Sequence, residues 1–197
     1  MTLDIERKNY PRVSDILSDY ESRELRKIPL EILANAAERG SRIHNYCTGV
    51  AKNLWVPPID KEALPYVESF QEWWRENVFQ LSADSIRLYD DEKKFSGKFD
   101  MIVVLKSSKQ LALIDLKTSA TISKSWPIQL AAYKHLCERN HYEIEVVMNV
   151  QLKATGKIAK TIEYENLSQH WNIFQACLTG FDYFRRDSFI QEEVLHD

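Results

Sequence analysis

The chain has 197 residues, room for one well-packed domain and hardly for two. With 44% hydrophobic and 28% charged residues it has the balance of an ordinary globular protein, which excludes a disordered or fibrous chain. The formal net charge of -3 excludes a global basic field, so a nucleic acid would have to be gathered by a local groove or through a bound cation.

Three widely spaced cysteines, Cys47, Cys137 and Cys177, argue against a disulfide framework and a CxxC zinc site, and fit a reducing cytosol. No apolar run approaches the length of a membrane span. The segment MTLDIERKNY has no signal-peptide core and carries acids that a transit peptide avoids. The expectation is a cytoplasmic protein without a membrane role, and a single domain over residues 1–197.

In chain order, Val13 to Tyr20 reads as a short helix with Ser14 or Asp15 as its cap. A longer helix is expected from about Pro29 to Val50. Ile32, Leu33, Ala36, Ile43 and Val50 recur there at roughly helical spacing, with Gly40 as an interruption. Val56 to Pro58 breaks the chain. A third helix from about Lys61 to Asn77 carries Tyr66, Phe70, Trp73 and Trp74, mainly as core.

The pattern then changes. Ser85 to Tyr89 alternates as a strand, and Phe99 to Leu105 and Leu111 to Leu116 are compact apolar runs that read as buried strands joined by KSSKQ. Ile128 to Glu138 is a short helix rich in small residues. Ile144 to Leu152 and Ile158 to Tyr164 form a hairpin around Ala154, Thr155 and Gly156. Leu167 to Phe184 closes the series as an amphipathic helix. The order predicts an α/β (α+β) fold, a sheet with helices packed on it: a helical part over about 1–80, and the sheet-bearing core over about 81–197.

Two of the apolar runs carry aspartates where a core strand should not tolerate them. FSGKFDMIVVL holds Asp100, and LALIDLKTS holds Asp115 with Lys117 two residues on. Burying an unpaired charge is costly. Strand periodicity puts Asp115 and Lys117 on one face and Leu116 on the other. An antiparallel pairing of the two strands brings Asp100 close to Asp115. Carboxylates so placed repel unless a cation sits between them, and hard oxygen ligands favour Mg2+ or Mn2+. Lys117 would then hold an attacking water or stabilise charge developing on a phosphate. Taken one at a time, Asp100 and Lys117 also read as strand-end charges reaching solvent.

Gly97-x-x-Asp100, Asp115-Leu-Lys117 and Gln129-x-x-x-Tyr133 together resemble the PD-(D/E)XK nuclease superfamily, and more narrowly its RecB-type branch, which includes the mitochondrial genome maintenance exonuclease and many phage exonucleases. YPRVSDILS and ERGSRIHNYC resemble N-terminal elements of that group, so the similarity runs from about Tyr10 to Tyr133. The resemblance implies a restriction-endonuclease-like mixed sheet flanked by helices, with an N-terminal helical wall. It implies Asp100, Asp115, the carbonyl of Leu116 and His44 as metal ligands, and Lys117 as the catalytic lysine. An imidazole among oxygen ligands favours Mn2+ somewhat over Mg2+. His44 otherwise reads as a helix-surface or core histidine.

Gln129 and Tyr133 lie four apart and share a helix face. The resemblance puts that face at the active site, positioning Lys117 or substrate; plain packing is the alternative. Thr118 and Ser119 either touch phosphate or form a turn. The resemblance also implies a glutamate on the first strand, where this chain has Ser85 beside Asp84. Some relatives hold an iron–sulfur cluster on four cysteines; three scattered cysteines predict no such cluster here. Lys153, Lys157 and Lys160, Lys93, Lys94 and Lys98, and Lys124 with Trp126 are candidate DNA contacts, Trp126 by stacking on an unpaired base.

The implied function is metal-dependent hydrolysis of DNA, by an exonuclease on single-stranded or frayed ends in recombination, repair or replication. DNA and proteins of recombination or replication are the implied partners, in a bacterial or phage-infected cell. The alternatives are a catalytically weak or inactive nuclease-fold module that binds nucleic acid or a protein, and an endonuclease on the same fold.

Overall fold

The computed structural model describes residues 7, 9–18, 20 and 28–185. The elements are α1 (Val13–Ser18), α2 (Leu30–Ala51), α3 (Leu64–Asn77), β1 (Val78–Asp84), β2 (Arg87–Asp90), β3 (Phe95–Lys98), β4 (Met101–Leu105), β5 (Leu111–Lys117), α4 (Ser125–Arg139), β6 (Val146–Gln151), β7 (Lys160–Glu163) and α5 (Ser168–Phe184). The main sheet has the order β1-β4-β5-β6-β7, and β2 and β3 pair as a separate ribbon. Neighbours in the main sheet are antiparallel except β5 and β6, which run parallel across the α4 crossover. This is the mixed sheet flanked by helices that the α/β expectation described.

Period-two alternation sorts the strand residues into two cores. Ile102, Leu113 and Val147 face one side, where Leu130, Leu136 and Cys137 of α4 and Phe174, Leu178 and Phe181 of α5 cover them. Met101, Val103, Ala112, Ile114, Leu116, Met148 and Val150 face the other side, against Ile43 and Cys47 of α2 and Val67, Phe70 and Trp73 of α3. Trp73 is core, as its spacing predicts, and its indole N–H donates to Thr161 Oγ1 at 2.8 Å. Among the described residues no helix is long and apolar enough to cross a membrane.

Several boundaries differ from the sequence reading. Helix α1 opens at Val13, and Asp15 caps it from the third position by accepting the Arg12 N–H at 2.8 Å. Gly40 does not interrupt α2, and a Cβ there would make no more than an ordinary contact of 3.7 Å with Thr118 Oγ1. Asp60 Oδ1 accepts the N–H groups of Glu62 and Ala63 and delays α3 to Leu64. Helix α4 opens at Ser125, three residues before Ile128, because Pro127 is tolerated in a first turn.

One strand was not foreseen. The expected Ser85 to Tyr89 strand is found as β2, Arg87–Asp90, in the separate ribbon, whereas the first strand of the main sheet is Val78–Asp84. Its alternation is masked by Phe79, which is exposed beneath the Lys109 ammonium at 3.9 Å, and by two register shifts against β4. Ser85, at φ 50°, is the turn that leads out of the sheet into β2.

Candidate active site

Strand β4 begins one residue after Asp100, and its register pairs Met101 with Ile114. One further step sets Asp100 opposite Asp115. Because Leu113 faces α4, so do Asp115 and Lys117, while Leu116 is buried on the α2/α3 side. Asp100 Oδ2 accepts the Leu116 N–H at 2.7 Å, so any ligand role of Leu116 falls to its carbonyl. His44, from the middle of α2, places Nδ1 3.2 Å from Asp100 Oδ1. The Lys117 ammonium stands 2.7 Å from Asp115 Oδ2 and donates to Gln129 Oε1 at 2.7 Å. Gln129 Nε2 donates to the Tyr133 hydroxyl at 3.0 Å. The shared helix face of Gln129 and Tyr133 thus reaches the DLK segment. Gly97 permits this approach: a Cβ there would lie 2.7 Å from Leu136 Cδ1 and 2.9 Å from Tyr133 Cε1.

The two carboxylates are driven apart electrostatically. Burial would raise Asp100, but the charge and hydrogen bond of His44, the Leu116 N–H and Lys117 together hold it below the ordinary carboxylate range. Asp115 is pushed above that range, by burial first and by the charge of Asp100, with Lys117 opposing. Burial would lower His44, yet Asp100 and Asp115 outweigh it and the imidazole is raised. Tyr133 is pushed well up by burial and by both aspartates, which keeps it a neutral hydroxyl. Cys47, one turn beyond His44 on α2, is likewise raised by burial and Asp100, so it is no thiolate nucleophile.

Each carboxylate is engaged by groups of the chain itself, and among the described residues no three His, Cys, Asp or Glu side chains stand grouped as a metal cage. The donor set still suits a hard divalent cation in kind. Two carboxylates stand near one another, and Asp115 is raised first by burial and further by the charge of Asp100, with the Lys117 ammonium and the His44 imidazole opposing.

Other expectations are redirected. The Asp84 carboxylate lies 3.2 Å from Lys52 Nζ, and Ser85 contributes its main chain, donating N–H to the Asp100 carbonyl at 2.9 Å. Trp126 is 5% exposed and lies 5.7 Å below the Lys117 ammonium; it is part of the floor, not a free stacking face. Lys93 and Lys94 line a separate depression against α5, whereas Lys153 lines a cleft of about 550 Å3 beyond the end of β5 with Arg39, Tyr66, Thr118 and Ser119. The Nε of Arg39 in that cleft is buried without a partner.

Sequence reasoning missed Asn149 and Tyr164. Asn149 Nδ2 donates to Asp115 Oδ2 at 2.8 Å, and the Tyr164 hydroxyl donates to Asn149 Oδ1 at 3.0 Å. An amide inside the apolar run VVMNV is the same signal that marked the aspartates; Tyr164 has no comparable local mark.

A family model described as the PD-(D/E)XK nuclease superfamily matches residues 13–178 of the chain. No curated protein matches the sequence. Among solved structures, a candidate exonuclease from Eubacterium rectale aligns with a TM-score of 0.50 and 12% identity, over 80% of this chain and 68% of that one. At that identity the likeness is one of fold.

Proposed function

Since the chain belongs to the PD-(D/E)XK nuclease superfamily, we propose that it is a divalent-metal-dependent deoxyribonuclease of the RecB-type branch, an exonuclease on single-stranded or frayed DNA ends. The observation that carries this reading is the convergence of Asp100, Asp115, His44 and Lys117 at the end of β5, with Gln129 on the lysine.

Asp100, Asp115, His44 and the Leu116 carbonyl would hold Mg2+ or Mn2+, which when bound lowers the pKa of water and offsets charge on a phosphoryl group. The chain's own groups do the rest. Lys117, pinned between Asp115 and Gln129, presents a fixed N–H donor to the attacking water or to a non-bridging phosphate oxygen. Tyr133 orients the Gln129 amide so that its oxygen faces the lysine. Arg39, Lys153, Thr118 and Ser119 line the adjoining cleft with phosphate-binding groups, and Tyr66 adds an aromatic face. The whole chain acts as one nuclease domain, its helical N-terminal part walling the site, in a pathway of DNA recombination, repair or replication.

End-labelled oligonucleotides with Mn2+ or Mg2+ test the reading. Wild-type protein shortens them and Lys117→Ala does not; equal cutting by both removes the proposal. A circular single strand that survives separates an exonuclease from an endonuclease. A second reading, a weak or inactive nuclease-fold module that binds nucleic acid or a protein, is favoured by the capture of Asp84 by Lys52 and by Ser85 in place of an acid. Calorimetric Mn2+ titration separates the two, since such a module need not keep a divalent site.

A further inference from the structure

Strand β6 runs parallel to β5 with Asn149 in register with Asp115. Neighbouring residues in register point to the same face, so the amide and the carboxylate lie side by side. Asn149 is fully buried and donates through Nδ2 to Asp115 Oδ2 at 2.8 Å and, more weakly, to the Asp115 carbonyl at 3.3 Å. Its other end accepts from the Tyr164 hydroxyl at 3.0 Å. Tyr164 follows β7, and its own N–H is tied to the Val147 carbonyl at 3.0 Å.

A buried amide has two chemically opposite ends. Turned over, Asn149 would set its oxygen against a carboxylate oxygen and its NH2 against a hydroxyl that has just lost its acceptor. The acceptor-only carboxylate of Asp115 therefore fixes the orientation, and the Tyr164 hydroxyl, which can donate or accept, holds the far end of the amide in place. In that orientation Asp115 Oδ2 is held by two donors, the Asn149 amide and the Lys117 ammonium. Both of these contacts fall on the same oxygen. The carboxylate plane is locked by that oxygen.

We infer that Asn149 is the positioning residue for Asp115 and that Tyr164 acts on the same carboxylate only through it, by anchoring the far end of the amide. The inference rests on the nuclease reading of the site. A neutral donor suits the task because it orients the carboxylate without competing as a second cation. Partners of this kind, one step behind a ligand, change metal affinity or activity about 10- to 100-fold when removed.

The test uses the full chain with Mn2+ alone in calorimetry, and an oligonucleotide in steady-state kinetics. Asn149→Ala should weaken Mn2+ binding and lower kcat by about 10- to 100-fold with KM little changed. Tyr164→Phe, which keeps the ring and loses only the hydroxyl, should lower both by about 5-fold. In the Asn149→Ala background, Tyr164→Phe should have no further effect. Unchanged Mn2+ affinity in Tyr164→Phe, or an equal loss in both backgrounds, overturns the inference. Tyr164→Phe decides the matter alone if Asn149→Ala does not fold. A wild-type protein that neither binds Mn2+ nor outcuts Lys117→Ala brings down the nuclease reading and this inference together. A wild type that does both, beside an indifferent Tyr164→Phe, brings down the inference alone.

Discussion

At the end of β2, Asp90 meets His135 at 2.6 Å; at the end of β5, Asp100 meets His44 at 3.2 Å. In the first pair the carboxylate is well supplied with donors. Asp90 is 1% exposed, and its Oδ1 accepts the N–H groups of Glu92 and Lys93 at 2.9 Å each. His135 stacks on Trp171 with 4.0 Å between ring centroids, and on Phe95 at 6.1 Å. Burial would raise Asp90, but those N–H groups and His135 hold it below the ordinary range. These contacts tie β2 to α4 and α5, and the charge of Asp90 is offset by His135 and two N–H groups. The second pair faces another carboxylate, and their shifts diverge. An aspartate–histidine contact is therefore no functional mark by itself; a surplus of buried negative charge around it is.

The contrast can be broken most forcefully at Lys117. Lys117→Ala should cost about a thousand-fold in single-turnover cleavage, while Asp90→Ala leaves cleavage per folded molecule near wild type. Chelation should likewise abolish cleavage, restored by Mn2+ or Mg2+, without moving the urea midpoint of Asp90→Ala relative to wild type. Next in size is stability. Asp90→Ala strands the His135 imidazole and two N–H groups, and should cost about 3 kcal/mol by urea denaturation. Gly97→Ala should cost about 2 kcal/mol, because the new Cβ meets Leu136 and Tyr133 and overpacks the β3–α4 contact.

The smallest effect is one of pH. Asp90 is held below its unfolded value, so its stabilisation is complete above about pH 4 and is lost as pH falls through the folded value. Wild-type stability should therefore fall more steeply below about pH 4 than that of Asp90→Asn. Parallel acid profiles for the two would remove Asp90 from the account.

Much of the fold was legible because it is written locally. The apolar runs of β4 and β5, the helical face of Phe70 and Trp73, and the hairpin around Gly156 each lie within a few residues of their own signal. Strand β1 was not, because its exposed Phe79 finds cover in Lys109, thirty residues away, and its bulges break the alternation. Trp126, beside Lys124, was read as a ring that could stack on an unpaired base, but the first turn of α4 buries it beneath Lys117.

The sequence by itself determined which charges needed compensation. A carboxylate inside an apolar run has a desolvation cost set by its neighbours, and period two puts Asp115 and Lys117 on one face whatever surrounds them. Tertiary structure alone decided which groups supply that compensation. His44 reaches Asp100 across 56 residues, Asn149 reaches Asp115 across 34, and Tyr164 acts at one further remove. Those meetings depend on strand register and helix packing, which no short stretch of chain encodes.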